Sequence, residues 1–430
     1  MQIKPFELER YFAEHEFRVR FLLSASDCES LTLQELLALA DADGLALWDG
    51  LSLAYTESQG HPLLRREIAR QHQTVTPDDV LVAAPEEAIF IAMNTLLAPG
   101  DHVLVTFPAY QSLYQVAEAA GCTVTRWPLT PDGAAGWRLD IDFLRDHLRP
   151  ETRLIVVNFP HNPTGHLPTR GELDTIVEIA AGRGIYIFSD EMYRLLEYDP
   201  ARRLPSVCDL YERGIALAGL SKAYALPGLR IGWLATRDRE VLNRCAAFKD
   251  YTTICSSAPS EVLGIIALRA AARIVERNLA IIRSNLSAAE RFFAQDAGLF
   301  AWLPPRAGSV AFPRLAERMP VAGFCRDLLA AQNVMVVPGD LFGHAGNHFR
   351  VGLGRRNLPE ALERVQRYLD HGGLRQGRTQ NVKRKTQNVK RKTQVTQPAW
   401  RCHSRKPLAG IQRRCQRELG CPIEAFGHDG

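Results

Sequence analysis

The stretch DDVLVAAPEEAIFIAMNTLLAPGDHVLVTF, Asp78 to Phe107, sets two short Val/Leu-rich runs on either side of an apolar helical segment. Short apolar runs bounded by Asp, Pro and Gly read as buried strands, and EEAIFIAMNTLL between them reads as a helix. Two parallel strands need a long crossover of this kind, so the stretch predicts a unit of parallel sheet.

The same alternation continues outward. SLYQVAEAAG, TRLIVVNF, ELDTIVEIAAGRG, IYIFSD, GIALAGL and RIGWLAT follow in that order, short Val/Ile-rich runs separated by helical segments and turn residues. They predict an α/β fold whose large domain, residues 48–272, is a mostly parallel sheet sandwiched by helices. Residues 47–70 carry turn signals and lead into the amphipathic LLRREIARQH. A long helical stretch from Ala258 to Gln295 then joins a second unit with AGSVAFPRL, NVMVVPGDLF and HFRVGLG as strand candidates. This smaller α+β domain, 273–373, is expected to be completed by the N-terminal segment 1–47, where charged and apolar residues alternate at helical spacing.

Charge is unevenly spread. The chain has 430 residues and a net charge of +4, but of its 52 basic and 48 acidic residues 14 and 3 lie from Arg375 onward, so the body is acidic. The tail, 374–430, repeats TQNVKRK in tandem from Thr379 to Lys392 and has no acid between Arg375 and Arg417. Such a segment buries too little apolar surface to offset its ordering entropy and is expected to be disordered. The basic pI therefore does not argue for nucleic-acid binding by the globular part. Nine scattered cysteines without CxxC spacing read as reduced thiols. No apolar run spans a bilayer and the opening MQIKPFELERYF lacks the pattern of a secretory leader, so the expectation is a cytoplasmic protein away from membranes.

The chemistry concentrates at strand ends. In GLSKAYALPGLRIGW, Gly219 to Trp233, a lysine follows a strand with a hydroxyl before it and an arginine eight residues later. A phosphate-bearing aldehyde cofactor needs that set: Lys222 for the imine, Ser221 and Arg230 for the phosphate. Taken alone, an SK pair is an ordinary surface feature. In SDEMY, Ser189 to Tyr193, Asp190 ends the apolar strand IYIF, where ligands sit in open α/β sheets. It can pair with a protonated pyridine nitrogen or cap a helix, and the sequence around it favours neither. In NFPHNPTG, Asn158 to Gly165, the NP and TG pairs make turns and Asn162 is a candidate donor to a phenolic oxygen. His161 beside it is a proton relay or a turn histidine.

Asn162 in HNPTG, Asp190 and Tyr193 in SDEMY, and Ser221, Lys222 and Arg230 in SKAYALPGLR together resemble the class I/II aminotransferases, fold type I enzymes that use pyridoxal phosphate. The resemblance spans roughly residues 45–369. It implies that Lys222 binds the cofactor and moves the proton, that Asp190 meets the pyridinium, and that Asn162 and Tyr193 contact the phenolic oxygen. It also implies phosphate binding by Ser221 and Arg230. Tyr110 in FPAYQS resembles the aromatic that stacks on the cofactor, and Arg350 in FRVGLGR the arginine that clamps the substrate carboxylate, beside Asn162. Tyr55 in YTESQGHPLLR resembles a tyrosine that reaches the neighbouring subunit's phosphate, which implies a homodimer with shared sites.

One place departs from the family. Where many members have Gly and a small residue at a helix start, this chain has Ala84, Pro85 and Glu86. Pro85 has no amide hydrogen to give, Glu86 adds negative charge near a phosphate, and the Glu86 amide is the donor left there. The resemblance implies an aminotransferase taking an amino acid and a 2-oxo acid, with no metal. Lyases and cyclases share the same residues, and YTESQGHPLLR and FPAYQSLY are similar to the branch that makes capreomycidine.

Overall fold

The N-terminal segment supplies a two-residue strand, β1 (Phe21–Leu22), after the helix Glu7–His15. The central sheet follows with β2 (Val80–Ala83), β3 (His102–Phe107), β4 (Thr123–Pro131), β5 (Trp137–Leu139), β6 (Thr152–Asn158), β7 (Tyr186–Asp190), β8 (Gly214–Gly219) and β9 (Gly232–Ala235). This computed structural model describes residues 2–371, and the tail read as disordered lies outside them.

The sheet has eight strands in the order β2-β9-β8-β7-β6-β3-β4-β5. The contiguous run β8-β7-β6-β3-β4 is parallel, whereas β9 runs antiparallel to both neighbours and β5 antiparallel to β4. Every residue of β2, β3 and β7 is buried, which is why these strands read as continuous apolar runs rather than alternating ones. The sequence reading found six of the eight. It missed β4 and β5 because TVTRWPLTP interleaves Thr, Arg and Pro with its apolar residues and is only partly buried.

The helix Pro85–Leu96 lies on β8 and β9. Proline at its first position forfeits no intrahelical bond, and Ala88, Ile89, Ile91, Ala92, Met93 and Leu96 are buried. Each large apolar side chain among them contributes about 1.5–3 kcal/mol by leaving water. The helix Arg170–Arg183 opens on a Thr169/Glu172 capping box and ends on Gly184 in the left-handed region. The stretch expected as one helix from Ala258 to Gln295 is two, Ala258–Arg269 and Ala271–Gln295, broken at Ala270.

The C-terminal third carries β10 (Phe300–Ala301), β11 (Val310–Ala311), β12 (Arg314–Leu315), β13 (Val334–Met335), β14 (Val337–Pro338) and β15 (Phe349–Gly352). Of these, β11, β15 and β14 form an antiparallel sheet, and β13 pairs in parallel with β1, Phe21 opposite Val334. The N-terminal segment is thus stitched to the C-terminal strands. Gly352 makes the crossing possible: its N–H donates to Leu23 O at 2.6 Å, and any Cβ there would collide with the Ala25 backbone. Residues 23–26 are held over β15 as a result. No helix among the described residues is long and apolar enough to cross a membrane.

Candidate active site

The carboxyl ends of β6, β7 and β8 lie side by side, with Asn158 opposite Asp190 and Asp190 opposite Leu217. Loops leaving these ends carry the residues singled out in the sequence. Asn158 organises two of them, since its amide donates to Asp190 O at 2.9 Å and its carbonyl accepts from the Asn162 N–H at 2.7 Å. Asn162 is therefore positioned by the strand next to Asp190.

A cavity of about 590 Å³ opens here, lined by Glu86, Tyr110, Asn162, Asp190, Tyr193, Ser221, Lys222, Arg230 and Arg350. Nine of the ten residues proposed from sequence thus meet in one space. Tyr55 does not line it. Its side chain is 89% exposed, with no contact to the site of its own chain.

Lys222 Nζ donates to Ser26 Oγ at 2.8 Å, and burial lowers its affinity for a proton while Asp27 opposes that shift. A lysine so placed yields the neutral amine more readily than a solvated one. Asp190 Oδ1 accepts the Met192 N–H at 3.1 Å, yet burial pushes its carboxyl up to about 7 against that bond and the Lys222 charge. The acid is short of positive charge. Ser221 is buried and its hydroxyl has no partner among the described residues, a state that costs free energy unless a ligand answers it.

Arg350, on β15, is 1% exposed. Its Nε and Nη2 donate to Ser24 O at 3.2 and 3.0 Å and its Nη1 to Asn162 Oδ1 at 3.2 Å, while Phe12 and Phe342 rings lie 5.6 and 5.1 Å from its charge. Every one of these partners is neutral. A buried guanidinium without a carboxylate is costly, and a guanidinium has five donors, so further N–H groups remain for an anion entering the cavity. Arg230 caps the short turn Pro227–Leu229 in the left-handed region, φ 56°, with Nη1 on Pro227 O at 3.0 Å. An arginine held there costs about 1–2 kcal/mol, as residues poised for a ligand often do.

Glu86 and Tyr110 depart from simple expectation. The Glu86 carboxylate accepts from Ser112 Oγ at 3.3 Å, and burial lifts it to about 7. The negative charge that Glu86 brings to the cavity is correspondingly reduced. Tyr110 Oη donates to Glu9 Oε1 at 2.9 Å, and its ring meets Phe6 at 5.0 Å. His161 does not line the cavity. It is buried, is held down to about 3, and pairs through Nδ1 with Thr164 Oγ1 at 2.8 Å inside its own turn, as a turn histidine does.

Sequence reasoning missed one wall entirely. Phe6, Glu9, Phe12, Glu16 and Ser26 all line the cavity from the N-terminal segment. They belong to no motif, and the helical spacing of Phe6, Glu9 and Phe12 was the one signal that they share a face.

The family model of aminotransferases of class I and II matches residues 21–365. Over 374 residues the chain is 34% identical to capreomycidine synthase of Streptomyces vinaceus, covering 84% of this chain and 93% of that protein. A solved pyridoxal-phosphate-dependent aminotransferase from Streptococcus suis superposes with a TM-score of 0.80 at 32% identity, covering 86% of this chain and 98% of its own. The solved pyridoxal-phosphate-dependent cyclase OrfR gives a TM-score of 0.78 at 29% identity with the same coverages.

Proposed function

The chain belongs to the class I and II aminotransferases and is a pyridoxal-phosphate-dependent enzyme, and on that premise we propose that it moves the amino group of an α-amino acid to a 2-oxo acid, with Lys222 as the reactive amine. The observation that carries the reading is the meeting of Lys222, Asp190 and the unpaired Arg350 in one cavity. The residues present fit the cofactor. A buried carboxylate short of positive charge suits a pyridinium, the partnerless Ser221 hydroxyl with Arg230 suits a phosphate, and a lysine of lowered proton affinity suits an aldehyde.

When bound, the cofactor supplies the aldehyde for amine exchange and an electron sink for the α-carbon. The chain supplies the rest. Arg350 binds the substrate α-carboxylate with its remaining N–H donors, beside Asn162. Lys222 takes the α-proton and returns it. With the cofactor in place, Asp190 would face the pyridine nitrogen, Asn162 and Tyr193 would hold the phenolic oxygen, and Tyr110 would flank the ring. Ser221, Arg230 and the Glu86 amide at the start of the helix Pro85–Leu96 hold the phosphate. We read Tyr55 as reaching the site of a second copy, in a cytoplasmic homodimer, which its exposure permits.

A second reading, cyclisation or elimination from the same proton removal, is favoured by the match to capreomycidine synthase over 93% of that protein's length. Incubation with an amino-acid panel, with and without a 2-oxo acid, separates the two. Transamination predicts a keto product only when the acceptor is present. Ammonia or a dehydrated product formed without acceptor selects the second reading, and loss of all turnover on acceptor removal excludes it.

A further inference from the structure

Glu9 and Glu16 line the cavity seven residues apart, and neither is in an ion pair, although the charges of Lys222 and Arg350 are felt at Glu9 and those of Arg355 and Lys222 at Glu16. Glu9 accepts the Tyr110 hydroxyl at 2.9 Å, while the Glu16 carboxylate makes no hydrogen bond or ion pair among the described residues. Asp27 nearby is taken up by Arg355 at 2.8 Å. Arg10 also reaches the cavity but pairs with neither glutamate. Burial, together with the like charges of Asp27 and Glu9, pushes the Glu16 carboxyl upward against the opposing charges of Arg355 and Lys222.

The cations that do face the cavity have other duties on the reading given above. Arg350 answers an α-carboxylate, Arg230 a phosphate, and Lys222 an aldehyde. Once those ligands are in place, the exposed Arg10 is left at the N-terminal wall, paired with neither glutamate, so the negative field of the two carboxylates inside the cavity is only weakly compensated. The buried, partnerless hydroxyl of Ser221, which the reading above gives to the phosphate, marks this cavity as a ligand site, and the glutamates line its N-terminal wall. Phe6 and Phe12, interleaved with the glutamates, offer apolar surface to a long aliphatic stem whose tip is charged.

We propose that Glu9 and Glu16 select an α-amino acid whose side chain ends in a cation, an ammonium or a guanidinium. The proposal rests on the reading of this cavity as the amino-acid site and adds the class of substrate to it. Aliphatic amino acids of equal length would leave both carboxylates unanswered, and acidic ones would be repelled.

The test is titration of the holoenzyme with L-arginine, L-lysine, L-norleucine and L-glutamate, following the cofactor's absorbance, in the parent, Glu16→Gln and Glu9→Gln. Arginine or lysine is expected to bind about tenfold or more tightly than norleucine, and their comparison distinguishes guanidinium from ammonium. Each folded variant, checked by circular dichroism and melting temperature, is expected to lose most of that preference, with norleucine affinity unchanged in Glu16→Gln. Norleucine or glutamate binding as tightly as the cations, or a preference that survives both substitutions, overturns the proposal and leaves the amino-acid site standing. A holoenzyme whose spectrum responds to no amino acid overturns both.

Discussion

Asp190 is a carboxylate at the end of a fully buried strand, and its burial is opposed by one backbone N–H and the charge of Lys222. With its proton affinity raised to about 7, the folded apo chain holds that proton more tightly than the unfolded chain does. Its contribution to stability is therefore present below the ordinary carboxylate range and lost as pH rises through about 7. Asp190→Asn removes the titration while keeping the shape. The apo variant is expected to melt above the apo parent at pH 8, with the gap closing toward pH 4, and thermal scans across that range check it. With cofactor the order reverses, since the parent alone offers a charge to the pyridinium, and turnover of the variant falls by orders of magnitude. Lys222, Asp190 and Asn162 were legible in the sequence because each follows a recognisable strand. Glu9, Glu16 and Ser26 were not, because an acid on an amphipathic helix reads as solvated until the fold shows what its face meets.

At the scale of elements, the unexpected Pro85 has a structural reason. A Cβ on Gly232 of β9 would lie 2.8 Å from Pro85 Cγ and 2.8 Å from Ala218 O. The proline ring thus sits on a glycine of the sheet and fixes where the helix Pro85–Leu96 begins. Gly232→Ala is expected to cost about 1–3 kcal/mol by overpacking and, if the Glu86 amide holds the phosphate as proposed, to weaken cofactor binding by shifting the helix start. Denaturant unfolding and cofactor affinity check it together, and a variant with parental stability and affinity would show that the contact positions nothing. The element-level reading was good where burial on both faces produces unbroken apolar runs, as in β2, β3 and β7. It failed at β5, the edge strand, and at β4, which pairs with β3 along its first six residues and with β5 only along its last three. Each residue there has a strand on one side alone, and the demand for apolar residues relaxes. It failed also at Ala270, where no Gly or Pro marks the break between two helices.

For the molecule as a whole, the site is a junction of three distant stretches. The sheet's carboxyl edge brings Asn162, Asp190 and Lys222, β15 brings Arg350, and the N-terminal segment held over Gly352 brings Ser26 to Lys222. The alternation of strands and helices foretold the first of these, and only the pairing of β1 with β13 and the passage of residues 23–26 across β15 account for the last. On the function proposed above, this junction holds the cofactor on one particular amine, that of Lys222. Lys249 is the natural competitor, since it is wholly buried and burial lowers its proton affinity too, but its ammonium donates to Ile254 O at 2.8 Å and does not line the cavity. Borohydride reduction of the purified holoenzyme, followed by peptide mapping by mass spectrometry, decides between them. One pyridoxyl adduct is expected, on the peptide carrying Lys222; an adduct on Lys249, or none on either lysine, would overturn the assignment.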